Sequence, residues 1–188
     1  MSIFPITMCG DKILRKKAHK VAEIDDQIIG TISDMFETMR NANGIGLAAN
    51  QIGLNKQIFV VDISPVEGYE SYKPLALINP KIVSRSDETV PIEEGCLSIP
   101  DLREEIIRPK AINISFYDVN MKEQTIEADE LLARVIQHEF DHLRGILFID
   151  YLDDEMKKRY KKHLSKIKNR KLDIDYPISA STDYMLIK

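Results

Sequence analysis

Cysteine is scarce in this chain, and long apolar runs are missing altogether. With two cysteines in 188 residues, a disulfide framework cannot be what holds the fold together. The longest apolar stretches, such as Ile58 to Val61, are far too short to span a bilayer. No low-complexity tract or internal repeat is present, which excludes solenoids and disordered spacers. The first residues, Met1-Ser2-Ile3-Phe4-Pro5-Ile6-Thr7, lack the basic start and apolar stretch of a secretory signal, and they lack the Arg- and Ser-rich character of a transit peptide. The expected location is therefore the cytoplasm, where Cys9 and Cys96 stay reduced and a free or metal-bound thiol is the natural state.

What is present is the composition of one globular domain, 44% hydrophobic and 30% charged. A net charge of −4 argues against non-specific binding to nucleic acid by the whole surface, so neither DNA nor a membrane is an expected partner. The charge is unevenly spread, because nine Lys or Arg between residues 154 and 171 face only Asp154 and Glu155. That segment carries +7 and leaves −11 for the rest of the chain. It is either a solvated helix face or a segment with a task of its own.

Periodicity predicts three helices. Ile28, Ile29, Ile32, Met35, Phe36 and Met39 recur on one helical face between Asp25 and Arg40, with Asp25 or Asp26 as the cap and Asn41 to Gly46 as the stop. A central helix is expected from about Ala128 to Leu143. Leu131, Val135, His138 and His142 form one line, Leu132, Ile136, Glu139 and Leu143 the next, and Arg134, Gln137, Asp141 and Arg144 fall on the other side. Gly145 stands where a left-handed terminating residue belongs. The third helix, 154–170, has Met156, Tyr160, Leu164 and Ile167 on its apolar stripe. Between the first two helices, 56–63, 75–83 and 111–119 read as strands. Turn chemistry falls at Ser64-Pro65, Asn79-Pro80 and Val119-Asn120, and 89–100 reads as short and extended. The expected fold is α+β: antiparallel or mixed sheets around a central helix, with an N-terminal helix and a basic C-terminal helix. Residues 1–171 form the predicted catalytic domain, and 172–188 is a tail without periodicity.

The chemistry is concentrated in His138-Glu139-Phe140-Asp141-His142. Residues four apart on a helix project from one face, so two imidazoles can grip one ion, with Glu139 placed to act as a base. The bland alternative, two separately satisfied core histidines, requires each buried ring to find its own partner, which is expensive. A third ligand is needed. The extended protease pattern fails because Phe148 stands where its third histidine belongs. A glutamate from a later helix could only be Glu155, close behind the motif, as an internal peptidase would use it. Cys9, Cys96, His19 and His163 remain, with His19 and His163 expected at the surface. Free cysteines are usually small core residues. Cys96, however, follows Gly95 in Glu94-Gly95-Cys96-Leu97-Ser98, where a sharp turn can bring it close to another element. Cys–His–His leaves a fourth tetrahedral position open, as catalytic rather than structural sites do. A third segment, Gly44-Ile45-Gly46-Leu47-Ala48-Ala49-Asn50-Gln51, offers close backbone approach and one uncharged amide donor.

These three segments in this order, GIGLAANQ at 44–51, EGCLS at 94–98 and QHEFDH at 137–142, resemble the signature motifs of peptide deformylases. The resemblance implies that Cys96, His138 and His142 hold a divalent metal: ferrous iron, with zinc, nickel or cobalt as substitutes. It implies further that Glu139 is the catalytic acid and base, and that Gln51 and the backbone N–H of Leu97 stabilise the oxyanion. Ile45, Gly46, Ile92, Leu131 and Val135 match substrate-binding positions, while Arg134 stands where an apolar residue is expected. The implied reaction removes the formyl group from formylmethionine at the start of new polypeptides and releases formate. The implied partners are those nascent chains and the ribosome, the latter through the basic helix.

Overall fold

The structure is a computed structural model and describes residues 2–186. Helix α1 spans Asp26–Asn41, and the Asp25 carboxylate accepts from the Ile28 N–H, filling one of the orphan donors of the first turn. Five strands follow as one antiparallel sheet: β1 (Gly46–Ala48), β2 (Ile58–Val61), β3 (Leu75–Arg85), β6 (Ala111–Tyr117) and β7 (Glu123–Asp129), in spatial order β1-β2-β3-β6-β7. Strands β4 (Thr89–Cys96) and β5 (Ile99–Pro109) form a separate hairpin. Helix α2 runs Glu130–His142 and α3 Asp154–Lys168.

The sheet is a middle layer. Along β2, Ile58 and Val60 point to a core with Ile32, Met35 and Met39 of α1, while Phe59 and Val61 point to a core with Leu132, Val135 and Ile136 of α2. The period-2 pleat thus sends alternate residues into opposite cores, and all four are buried. Burying each such side chain stabilises the fold by roughly 1.5–3 kcal/mol. A third core, under the hairpin, joins Ile99, Leu102 and Ile106 to Leu14, Phe148 and Ile167.

The α+β expectation and its three helices hold. Several strands differ in extent, for physical reasons. β5 carries Arg103, Glu104 and Glu105 in mid-strand, and β7 is a polar edge strand in which only Ala128 is buried, so neither shows an apolar alternation. Asn79-Pro80 is a bulge inside β3 rather than a turn. Asn79 takes φ +51°, the register shifts there, and its side chain bonds both the N–H and the C=O of Val21. Ile29 of α1 is exposed rather than packed. Gly145 takes φ +76°, the left-handed conformation expected of it.

Helix α2 differs most from expectation. Arg134, Gln137 and Asp141, read as its outward side, are each only 4% exposed, so the helix is wrapped almost all round. The tail beyond α3 has no regular element but is tied to the body at several points, including a parallel bridge between Ile6 and Ile178. Residues 187 and 188 lie outside the described residues.

Candidate metal centre

Two elements meet to build the centre. β4 ends in a register shift between Gly95 and Cys96, which turns the Cys96 sulfur out of the ladder towards α2. On α2, His138 and His142 lie one turn apart with ring centroids 5.0 Å from each other. Cys96 Sγ is 3.3 Å from His142 Nε2, and one ligand atom from each of the three residues lies within 4.8 Å of the others. Among the described residues this is the one cluster that could hold an ion. Cys9 and His19 are not in it, and Glu155 sits exposed on the first turn of α3. His163 is half-buried rather than at the surface, 2.7 Å from the Pro100 carbonyl.

The two imidazoles are tuned in opposite directions: burial opposes charging of His138, but its hydrogen bonds to Cys96 and Glu94 outweigh it and hold that ring above its ordinary range. His138 Nδ1–H donates to Glu94 Oε2 at 2.9 Å, which turns its other nitrogen to the cluster. Burial drives the His142 imidazole well below its ordinary range, so it stays neutral with a lone pair to offer. Three buried atoms on α2 lack a hydrogen-bond partner among the described residues: Arg134 Nε, His142 Nδ1 and Glu139 Oε2. An unpartnered carboxylate oxygen beside a thiol and two imidazoles fits a centre built to hold a cation with solvent at its open side. Burial pushes the Glu139 carboxyl up to about 7, towards the range in which a carboxylate takes and returns a proton.

Gln51 comes from the 3-10 turn Ala49–Ile52 that follows β1. Its oxygen accepts from the Ala48 N–H at 2.8 Å, so its nitrogen points the other way, to Ser98 Oγ at 3.1 Å and Cys96 Sγ at 3.6 Å. Leu97 follows Cys96 directly. A cavity of about 570 Å³ opens over these groups and is lined by Ile45, Gly46, Gln51, Cys96, Leu97, Leu131, Val135, His138 and Glu139. That is the size of a small-ligand site. Ile92 is not among the lining residues; it lies on β4 opposite Ile106.

Sequence reasoning missed the buried charges behind the ligands. Glu94 Oε1 accepts from Arg108 Nε at 2.6 Å and Arg134 Nη1 at 2.7 Å, and its Oε2 accepts from Arg108 Nη2 at 3.0 Å as well as from His138. Arg108 Nη1 donates to Asp141 Oδ2 at 2.6 Å, and Tyr151 donates to the same oxygen at 2.7 Å. Arg134 also donates to the carbonyls of Ile106 and Val90. Its guanidinium therefore turns away from solvent to serve Glu94, which explains how a charged residue occupies an apolar position. Burial opposes ionisation of Glu94, but the bonds from His138 and Arg108 outweigh it and hold the carboxyl well below the usual range. One signal was available: Glu94 and Asp141 lie inside the motifs that supply the ligands, and buried acids require buried bases.

The chain is also similar to known proteins. The family model for polypeptide deformylase matches residues 3–158. A peptide deformylase of Chlorobium phaeobacteroides is 44% identical over 181 residues, covering 96% of this chain and 97% of the relative. One from Rickettsia canadensis is 44% identical over 172 residues, covering 90% and 98%. Among solved structures, a peptide deformylase from Legionella pneumophila has a TM-score of 0.82 at 35% identity, covering 90% of this chain and 98% of that one. That from Ehrlichia chaffeensis in complex with actinonin has a TM-score of 0.83 at 40% identity, covering 92% and 100%.

Proposed function

The chain belongs to the polypeptide deformylase family, and from that membership we propose how its own residues divide the work. It is a metal-dependent hydrolase that removes the N-formyl group from new polypeptides and releases formate. Cys96, His138 and His142 are the ligands, and the convergence of their donor atoms is the observation that carries this assignment. A thiolate with two imidazoles suits iron and zinc alike; ferrous iron is the proposed ion in the cell, with zinc, nickel and cobalt able to replace it. When bound, a divalent ion supplies the Lewis acidity that makes water nucleophilic near neutral pH.

The remaining work falls to the protein. The Glu139 carboxylate takes a proton from the attacking water and delivers it to the departing methionine nitrogen, so proton transfer closes on one residue. Negative charge growing on the formyl oxygen is met by the Gln51 Nε2–H and the Leu97 backbone N–H. Gln51 is suited to this because its oxygen end is already committed to Ala48. The methionine side chain packs against Ile45, Leu131 and Val135, with Gly46 letting the substrate backbone approach. Ile92, off the cavity wall, would act by supporting β4.

No helix among the described residues is long and apolar enough to cross a membrane. The proposed setting is the cytoplasm, beside the ribosome. There α3 presents exposed Lys158, Lys161, Lys162 and Lys166 while its other face packs through Ile167.

The decisive experiment measures formate release from formyl-Met-Ala-Ser by anaerobically purified protein and by its Glu139→Gln variant. Wild-type turnover, with loss of at least ~100-fold in a variant that retains its metal, is expected. A variant of full activity would remove Glu139 from the reaction.

A further inference from the structure

The tail beyond α3 returns to the metal centre. Tyr176 lines the cavity, and its hydroxyl donates to the Leu97 carbonyl at 2.6 Å. The next residues clamp the N-terminal segment: Ile6 N–H donates to the Pro177 carbonyl at 2.8 Å, and Ser179 N–H to the Ile6 carbonyl at 2.9 Å. That segment in turn holds both backbones that carry the oxyanion donors. Thr7 N–H donates to the Gln51 carbonyl at 2.7 Å, Thr7 Oγ1 to the Asn50 carbonyl at 3.0 Å, and Cys9 N–H to the Ser98 carbonyl at 2.8 Å.

The clamp is built rather than laid on. Asp11 and Ser179 are fully buried, Ser179 Oγ donates to Asp11 Oδ2, and Arg170, two residues past α3, pairs with the other Asp11 oxygen. Farther on, Leu186 N–H donates to the Gly53 carbonyl at 2.8 Å, just past the turn that bears Gln51. Among the described residues Tyr176 is thus the one tail side chain that hydrogen-bonds the 96–98 turn, and the Arg170–Asp11 pair anchors the tail on which it is carried.

We propose that Tyr176 is a positioning residue for the deformylation reaction: its hydroxyl fixes the Leu97 backbone so that the Leu97 N–H is aimed at the formyl oxygen. This rests on the reading of Leu97 as an oxyanion donor. A phenol is suited to the task because burial pushes its pKa up and keeps it a donor throughout the working pH range. The hydroxyl's proton is committed to the Leu97 carbonyl, so on this proposal its contribution falls on the rate of the bound complex and not on substrate binding. A hydrogen bond between neutral groups is worth roughly a factor of 2 to 12, which sets the size of the effect.

The test uses Tyr176→Phe, which keeps the ring and its packing and deletes only the donor. Two readings are taken on the zinc-loaded, full-length enzyme: steady-state hydrolysis of formyl-Met-Ala-Ser, and the 15N chemical shift and hydrogen exchange of the Leu97 amide. The expected result is a kcat lowered about three- to tenfold with KM within twofold, unchanged metal content, and a shifted, faster-exchanging Leu97 amide. An unmoved Leu97 amide overturns the proposal, whatever the rate. A displaced amide with unchanged kcat overturns it differently, by showing that Leu97 is no oxyanion donor. Wild-type turnover in the same assay keeps either failure separate from that of the deformylase assignment. Tyr176→Ala, which also removes the ring from the cavity wall, should lower kcat at least as far and raise KM as well.

Discussion

Replacing Glu94 by glutamine tests whether the buried charges behind the metal centre act as one unit. The carboxylate accepts from Arg108, Arg134 and His138, and it is 4% exposed. Glutamine has nearly the same shape but no charge, and its amide N–H₂ must face a guanidinium or the imidazole N–H. Asp141 still pairs with Arg108, but Arg134 loses its carboxylate partner. Breaking one partner of a buried pair costs about 3–5 kcal/mol, and in a protein of this size each kcal/mol moves the melting temperature by about 2–4 °C. Melting in the presence of chelator should therefore fall by roughly 6–20 °C. With its support lost, His138 should bind zinc about 10- to 100-fold more weakly.

The acid limb carries a second signature. Because the folded carboxyl lies below its ordinary range, its contribution is in place above about pH 4.3 and drains away as pH falls toward the folded value. Wild type and variant should therefore converge in stability at low pH. Glu93→Gln is the internal control, since its pair with Arg103 is long and exposed and should be worth at most about 1 kcal/mol. Apo-protein melting within 2 °C of wild type, together with unchanged zinc affinity, would refute the reasoning.

Cys96→Ala should lose the bound metal and formate release together, checked by elemental analysis and formate assay; an internal peptidase site completed elsewhere would keep its ion. A methyl group at Gly46 would stand 2.5 Å from Glu139 Oε1 and 2.9 Å from Val135 Cγ1, so Gly46→Ala should displace the base. We expect about a 100-fold loss of kcat/KM at unchanged metal content. The acid limb of kcat/KM should follow Glu139. A bound cation pulls this carboxyl down from about 7, so activity should fall on acidification through a value below 7, as the base takes up a proton. Ribosome affinity, measured by sedimentation, should drop when Lys158, Lys161 and Lys162 are changed to Glu and should weaken with salt in the wild type. Reversal of these exposed charges spares the tail that truncation would remove.

How much of this was legible in the sequence follows the range of the interactions. The ligand pair on α2 could be read because helical geometry is local: positions 138 and 142 must share a face. Cys96 could be read because that pair needed a third donor and Gly95 marked a sharp turn. Arg134, Gln137 and Asp141 were misplaced because helical patterning assumes polar residues face water, whereas here they face Glu94, Pro109 and Arg108 across the hairpin. Tyr176 was invisible for the same reason: its partner lies 79 positions away, and nothing in a tail without periodicity announces a distant carbonyl. β7 escaped because an edge strand with one buried residue has no pattern to show.

The β4–β5 hairpin belongs to no larger sheet, yet it supplies the sulfur, while α2 supplies the nitrogens. A shared ion therefore adds to the buried ion pairs between hairpin and helix a tie across 46 positions of chain, a ring closure of the kind other proteins obtain by oxidising two thiols. In a chain so short of cysteine this staple can be withdrawn and replaced without any redox chemistry. Its strength follows the supply of free ion, so occupancy of the centre and rigidity of the hairpin should rise and fall together.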